Sequence, residues 1–180
     1  MKALVVYASK YGSTKGIAEF ISEKLTQRGM LAEVQPVEAV HDIGSYDVFV
    51  IGSAAYMGHW LKEATEFVKR NSAVLAKRPV WLFSSGPLVI ENMDSQSRSL
   101  DDAVPKEIAE FNGLIHPRDH RVFFGKLDAR KLNMVHRMMK SLPAARAIFP
   151  EGDFRDWNDI EAWVANISKA TMHAPLMSGV

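Results

Sequence analysis

The chain contains no cysteine. That absence excludes disulfides, thiolate zinc sites, cysteine-ligated iron–sulfur clusters and a cysteine nucleophile together. A reducing cytoplasm is the compatible setting. No apolar run approaches the ~18 residues of a membrane-spanning helix, so no helical crossing is expected. Excess charge is missing too: the net is +1, which exerts no global pull on nucleic acid or membrane and leaves any electrostatic targeting to a local segment. No nucleic-acid partner is therefore expected. His41, His116, His120, His136 and His173 show no metal-ligand spacing, and no bound metal is expected. There are no internal repeats.

What is present fits one domain. At 180 residues, 47% hydrophobic and 24% charged, the chain is long enough to bury a core without staples. Lys2–Ala8 is a continuous apolar run of β-branched and aromatic residues, the pattern of a strand covered on both faces. Met1-Lys2 followed by that run looks like a secretory start, but Lys10 cuts it short. Ile17, Phe20, Ile21 and Leu25 then recur at helical spacing, with Ser13 or Thr14 as candidate cap and Gly29 at the end. Leu31–Val37 and Tyr46–Ser53 read as the second and third strands. Trp60, Ala64, Phe67, Val68 and Leu75 line one helix, with Trp60 either its first buried residue or part of the loop before it. Arg78–Ser85 is the fourth strand, Glu91–Ser99 a loop, and Ile108 to Gly113 a modest helix. His120–Gly125 is the fifth strand. Trp157, Ile160, Val164 and Ile167 mark a last helix capped by Asp156, within a domain of residues 1–172 followed by a flexible tail, 173–180. Strands alternating with helices at this spacing predict an α/β fold with a parallel sheet and helices on both faces.

In such a sheet a ligand lies beyond the carboxyl ends of the strands, where strand order reverses. The loop after the first strand, Ser9-Lys10-Tyr11-Gly12-Ser13-Thr14, opens a helix whose unpaired N–H groups and dipole favour a phosphate; a plain capping turn would look much the same in isolation. The loop after the third strand, Ser53 to Trp60, sets small residues, aromatics and a glycine where a planar ring could be held, with Tyr56 and His59 the favoured ring-facing residues. Ser84–Leu88, after the fourth strand, offers backbone N–H and carbonyl groups to the polar edge of such a ring. A dinucleotide-binding G-x-G-x-x-G and a nucleotide P-loop are both missing, and Ser9 and Ser53 stand where a phosphoacceptor domain would carry carboxylates. These loops point to a phosphorylated, planar cofactor that brings its own chemistry.

The Ser9–Thr14 segment after an N-terminal strand resembles the phosphate loop of the flavodoxin family, and the order of loops matches that family across nearly the whole chain. The resemblance implies a three-layer flavodoxin-like fold with a five-stranded parallel sheet in the order 2-1-3-4-5, and FMN as cofactor. Gly58-His59-Trp60, Lys10 and the segment between the fifth strand and the last helix are most similar to the flavodoxin-type protoporphyrinogen IX dehydrogenases of bacteria, which pass electrons to a quinone. By that resemblance Ser9, Lys10, Tyr11, Gly12, Ser13 and Thr14 bind the phosphate. Ala55, Tyr56, Met57, Gly58 and His59, with Ser85, Gly86, Pro87 and Leu88, surround the isoalloxazine. Tyr11 departs from the Thr usual in classical flavodoxins. Gly58 is the candidate for the backbone carbonyl that meets N5 of the reduced flavin. His59 is the candidate proton shuttle, against the plainer reading of a cap or surface residue.

Residues 126–152 form a basic insertion. Lys126, Arg130, Lys131, Arg137, Lys140 and Arg146 face the single acid Asp128 between positions 126 and 149, and Leu132, Val135, Met138, Met139 and Leu142 share a helical face. Such a helix can rest at a membrane interface, or pack on its own domain with its charges solvated. Arg137 and Lys140 are candidates for a porphyrin's propionates. The leading expectation is an FMN-dependent oxidoreductase moving hydride from an apolar donor to a quinone or another carrier. The alternatives are a flavodoxin electron carrier with no substrate of its own, and a flavin-free binding or regulatory module. Carriers commonly show an acidic face, which the basic insertion argues against.

Overall fold

The computed structural model describes residues 1–86, 104–127 and 152–172. The elements are β1 Lys2–Ala8, α1 Ser13–Gln27, β2 Leu31–Pro36, β3 Val48–Tyr56, β4 His59–Trp60, α2 Lys62–Arg70, α3 Ser72–Leu75, β5 Val80–Ser85, α4 Glu107–Ile115, β6 Asp119–Phe123, β7 Lys126–Leu127, β8 Gly152–Asp153 and α5 Trp157–Met172. Here α5 names the C-terminal helix. Five strands pair in parallel in the order β2-β1-β3-β5-β6, as the sequence predicts, and β4 folds back antiparallel on β3.

The two-residue period of the strands divides the core between the sheet's faces. Leu4, Val6, Phe49, Ile51 and Leu82 pack against Ala64, Phe67, Leu75 and Phe111 of α2, α3 and α4. Val5, Val48, Val50, Trp81 and Phe83 pack against Ile17, Ile21 and Leu25 of α1 and Ile160, Val164 and Ile167 of α5. This alternation explains why the central strands read as continuous apolar runs, since both of their faces are covered. Each fully buried side chain of this size contributes about 1.5–3 kcal/mol relative to exposure.

Several boundaries move. The single helix expected through Leu75 breaks at Asn71 into α2 and α3, because the Asn71 side chain turns back to the Phe67 carbonyl at 2.9 Å and its backbone leaves helical geometry (φ −103°, ψ 9°). Gly113 lies inside α4, which ends instead at His116 in left-handed geometry. Asp156 does cap α5: its Oδ1 accepts the N–H groups of Asn158 and Asp159 at 2.9 and 3.0 Å. The third strand runs three residues past Ser53, to Tyr56, and carries its end out over the rim of the sheet. The ends of β1, β3 and β5 open on the same edge, with Ala8 paired to Ser53 and Ala54 to Ser85.

Candidate functional site

The turn after β1 is built for an anion. The residue before α1 is Gly12, at φ 88°, and not Ser13 or Thr14 as the capping pattern suggested; no side chain caps the helix, and its first turn carries no acid. Ser9 Oγ accepts the Gly12 N–H at 3.0 Å and shapes the turn. The first bond of the helix runs from the Gly16 N–H to the Gly12 carbonyl at 3.1 Å, so the N–H groups of Ser13, Thr14 and Lys15 have no partner within the helix. Ser13 Oγ is already used: it lies 3.2 Å from Ser85 Oγ and accepts the Lys126 N–H at 2.8 Å, which leaves its backbone N–H as the group it can offer. Thr14 Oγ1 is buried and has no hydrogen-bond partner. An orphaned hydroxyl beside open helix N–H groups is a strong fit to a phosphate ester.

Beside this turn stands the β3–β4 hairpin. Ala55 pairs with Trp60 and Tyr56 with His59, so Met57 and Gly58 alone make the turn. Both have positive φ, 52° and 76°, the combination a two-residue type I′ turn requires. Met57 is 99% exposed and Tyr56 40%. Lys10 Nζ joins turn to hairpin, lying 5.8 Å from the Tyr11 ring centroid and 5.6 Å from that of Tyr56. Burial and the neighbouring Tyr11 push the Tyr56 phenol up to about 12, so it stays a neutral donor through the physiological range.

Trp60 is a core residue, 4% exposed and edge-on to Phe111 at 5.3 Å, and it belongs to the hairpin and not to α2. Its Nε1–H donates to Ser84 Oγ at 2.8 Å, and Ser84 Oγ lies 2.8 Å from His120 Nε2. Trp60 can only donate, so Ser84 Oγ accepts from it, and the direction of the second bond, to His120 Nε2, follows the tautomer of that ring. Burial drives the His120 pKa down to about 4, against a smaller upward pull from Asp119. Ser53 is structural as well: its hydroxyl donates to the Ala54 carbonyl and accepts the Leu61 N–H.

Two residues of the site escaped the sequence reading, and a third was read for its charge alone. Glu107, at the start of α4, accepts the Trp60 N–H at 3.1 Å and meets His59 Nδ1 at 2.8 Å. Burial would raise its pKa, but the bonds from His59 and Trp60 outweigh that and hold it below the ordinary value. His59 is thus an exposed partner of a carboxylate. Arg155 follows the β7–β8 ribbon that joins the two ends of the insertion; it pairs with Asp153 through Nε at 2.7 Å and stacks 4.3 Å over Trp157. Its Nη1 rests on the first turn of α1, 2.5 Å from where a Cβ on Gly16 would stand. Lys126, already noted for its charge, proves to act through its backbone N–H on Ser13. No local pattern signals Glu107 or Arg155. Of the residues predicted for the site, Ser9 to Thr14, Ala55 to His59, Ser85 and Gly86 come together at this edge. Pro87, Leu88, Arg137, Lys140 and the tail 173–180 lie outside the described residues.

A family described as the flavodoxin domain matches residues 4–145. Among curated proteins, protoporphyrinogen IX dehydrogenase [quinone] of Escherichia coli strain K12 is 30% identical over 86 residues, 47% of this chain and 48% of that protein. The match thus spans about half the length of that relative. Solved structures share the fold. A flavodoxin from the domain Archaea has a TM-score of 0.61 at 17% identity, covering 96% of this chain and 100% of its own. Rubredoxin oxygen:oxidoreductase from Desulfovibrio gigas has 0.61 at 14%, covering 96% and 37%. Oxidised flavodoxin 1 from Bacillus cereus has 0.58 at 13%, covering 97% and 100%.

Proposed function

Because this chain belongs to the flavodoxin-domain family and binds that family's cofactor, FMN, we propose that it is an oxidoreductase with a substrate of its own, a protoporphyrinogen-type donor. When bound, FMN supplies hydride chemistry, taking two electrons from a donor C–H bond and yielding them to a quinone, which gains two protons, or to another acceptor. The residues divide the work. Ser9, Lys10, Tyr11, Gly12, Ser13 and Thr14 form the phosphate loop: Ser9 and Gly12 shape its turn through their own hydrogen bond, and the Ser13 and Thr14 N–H groups with the Thr14 hydroxyl would grip the phosphate. Ala55, Tyr56, Met57, Gly58 and His59 of the hairpin, with Ser85 and Gly86 at the end of β5, are the described residues that would surround the ring, and the family resemblance adds Pro87 and Leu88 by sequence alone.

The observation that carries the reading is the chemistry of the rim. The hairpin tip exposes Met57 almost wholly and Tyr56 in part, and Lys10 stands between two tyrosine rings beside them. An apolar edge with an adjacent cation suits a broad, apolar donor that carries carboxylates, such as a porphyrinogen. Arg137 and Lys140 are further cations, in the insertion's sequence, and the insertion's apolar positions suit a station at the inner face of a membrane, where quinone is found. The partial identity to a protoporphyrinogen dehydrogenase supports the same substrate class.

An absorption spectrum with mass identification of the released cofactor tests the FMN, and anaerobic bleaching by protoporphyrinogen IX followed by reoxidation with a quinone tests the substrate. A yellow protein that protoporphyrinogen fails to bleach is an electron carrier. A colourless protein that gains no thermal stability from added FMN refutes both readings.

A further inference from the structure

The Gly58 carbonyl already has a partner. It accepts the Lys106 N–H at 3.0 Å, and the next residue, Glu107, accepts the Trp60 N–H at 3.1 Å and meets His59 Nδ1 at 2.8 Å. Two consecutive residues at the start of α4 thus hold three consecutive residues of the hairpin. The Glu107 side chain is only 15% exposed and lies beneath the turn, whereas Met57 on the outside is 99% exposed. The turn is therefore held from below. A Cβ on Gly58 would meet nothing within 4 Å, so open space adjoins its Cα, and the contact seen to hold its carbonyl is the bond from the Lys106 N–H.

A reduced flavin carries a hydrogen on N5 and an oxidised one does not. The candidate carbonyl to accept from that N5–H is that of Gly58, whose direction here is set by its bond to the Lys106 N–H. We infer that Lys106 and Glu107 form a clamp on the hairpin that fixes the direction of the Gly58 carbonyl and so lowers the protein's preference for reduced over oxidised FMN. The inference rests on the reading that FMN binds at this edge and is reduced there. Glu107 is in this sense a positioning residue, acting through the hairpin backbone. A clamp of this kind suits a protein that must pass electrons on to an acceptor, since reduced cofactor held too tightly is a poor donor.

The midpoint potential of the bound flavin, compared with free FMN, gives the ratio of affinities for the two forms. Glu107→Ala removes both side-chain contacts. Lys106→Pro, read against Lys106→Ala as the control for the lost side chain and charge, deletes the N–H that holds Gly58 at a residue whose φ of −61° proline adopts without strain. Each is expected to raise the reduced-to-oxidised affinity ratio about tenfold, the scale of one hydrogen bond, equal to about 30 mV for a two-electron couple. Glu107→Gln loses the charge but keeps an oxygen for the Trp60 N–H, and is expected to show only a small part of that rise. Melting temperatures identify any variant that fails to fold, and the other then decides. Unchanged potentials in both clamp variants overturn the inference, and so does a Gln variant that shifts as far as Ala, since charge alone would then be the cause. A parent protein that binds no FMN overturns the underlying reading and this inference with it; a parent that binds FMN, with unmoved variants, overturns the clamp alone.

Discussion

The guanidinium of Arg155 lies on the bare Cα of Gly16, with Nη1 2.5 Å from the place a Cβ would occupy. In an ordinary exposed helix Gly→Ala stabilises by about 1 kcal/mol, because alanine loses less backbone entropy. Here the added methyl must displace a side chain that is only 10% exposed and is held by Asp153 and Trp157. Gly16→Ala is therefore expected to lose roughly 1 kcal/mol or more instead of gaining it. In an Arg155→Ala background the same change is expected to stabilise. A double-mutant cycle by urea unfolding reads the reversal, and a stabilising Gly16→Ala in the parent protein would refute the contact.

Acid is expected to weaken the fold through His120. Its folded pKa of about 4 lies below the ordinary 6.5 because burial disfavours the charged ring. The unfolded chain therefore takes up the proton first as pH falls. The contribution is complete above about pH 6.5 and is lost progressively toward pH 4, by at most about 3 kcal/mol. Urea unfolding at pH 7.5 and 4.5 measures the loss. His120→Gln, which has no such titration, is expected to flatten the pH dependence in that window; an unchanged slope would place the sensitive group elsewhere.

The parts of this architecture that could be read from the chain are those where one physical requirement dominates several consecutive residues. Lys2–Ala8 is buried on both faces and so is apolar throughout, and the loop from Ser9 to Thr14 has its glycine at the left-handed position before α1. The hairpin was legible only in part. Type I′ turns usually announce themselves as Asn-Gly or Asp-Gly, and here a methionine occupies the first position. Trp60 shows a helix-compatible spacing to Ala64 and Phe67, yet packs from the hairpin onto Phe111 in the same core. Glu107 could not have been found locally: its contact with His59 joins residues 48 apart, and nothing at either end of that separation marks it.

Met57 holds a left-handed backbone that its side chain disfavours, and nothing buries that side chain in return. Met57→Asn is expected to stabilise the fold by about 0.5–1 kcal/mol, asparagine being at ease at this turn position. If the rim receives an apolar donor, the same change should raise KM for that donor. Thermal melting and steady-state kinetics separate the two effects, and a variant that loses stability would show the turn is not the type described.

Thr14→Val is the sharpest test of the phosphate site, because it drives stability and binding in opposite directions. Both side chains are β-branched, so the start of α1 is asked for the same backbone and rotamer geometry. The hydroxyl removed is buried and has no protein partner, and replacing an unsatisfied polar group by a methyl is expected to raise apo-protein stability by about 1–3 kcal/mol. A bound phosphate would lose a hydrogen bond to a charged acceptor, worth about 1.5–3 kcal/mol, so FMN affinity is expected to fall at least about tenfold. Fluorescence titration of FMN gives the affinity, and melting of the apo-protein gives the stability. A valine variant that binds FMN as tightly as its parent would mean that the orphaned hydroxyl never meets the phosphate, and that the grip rests on the main-chain amides alone.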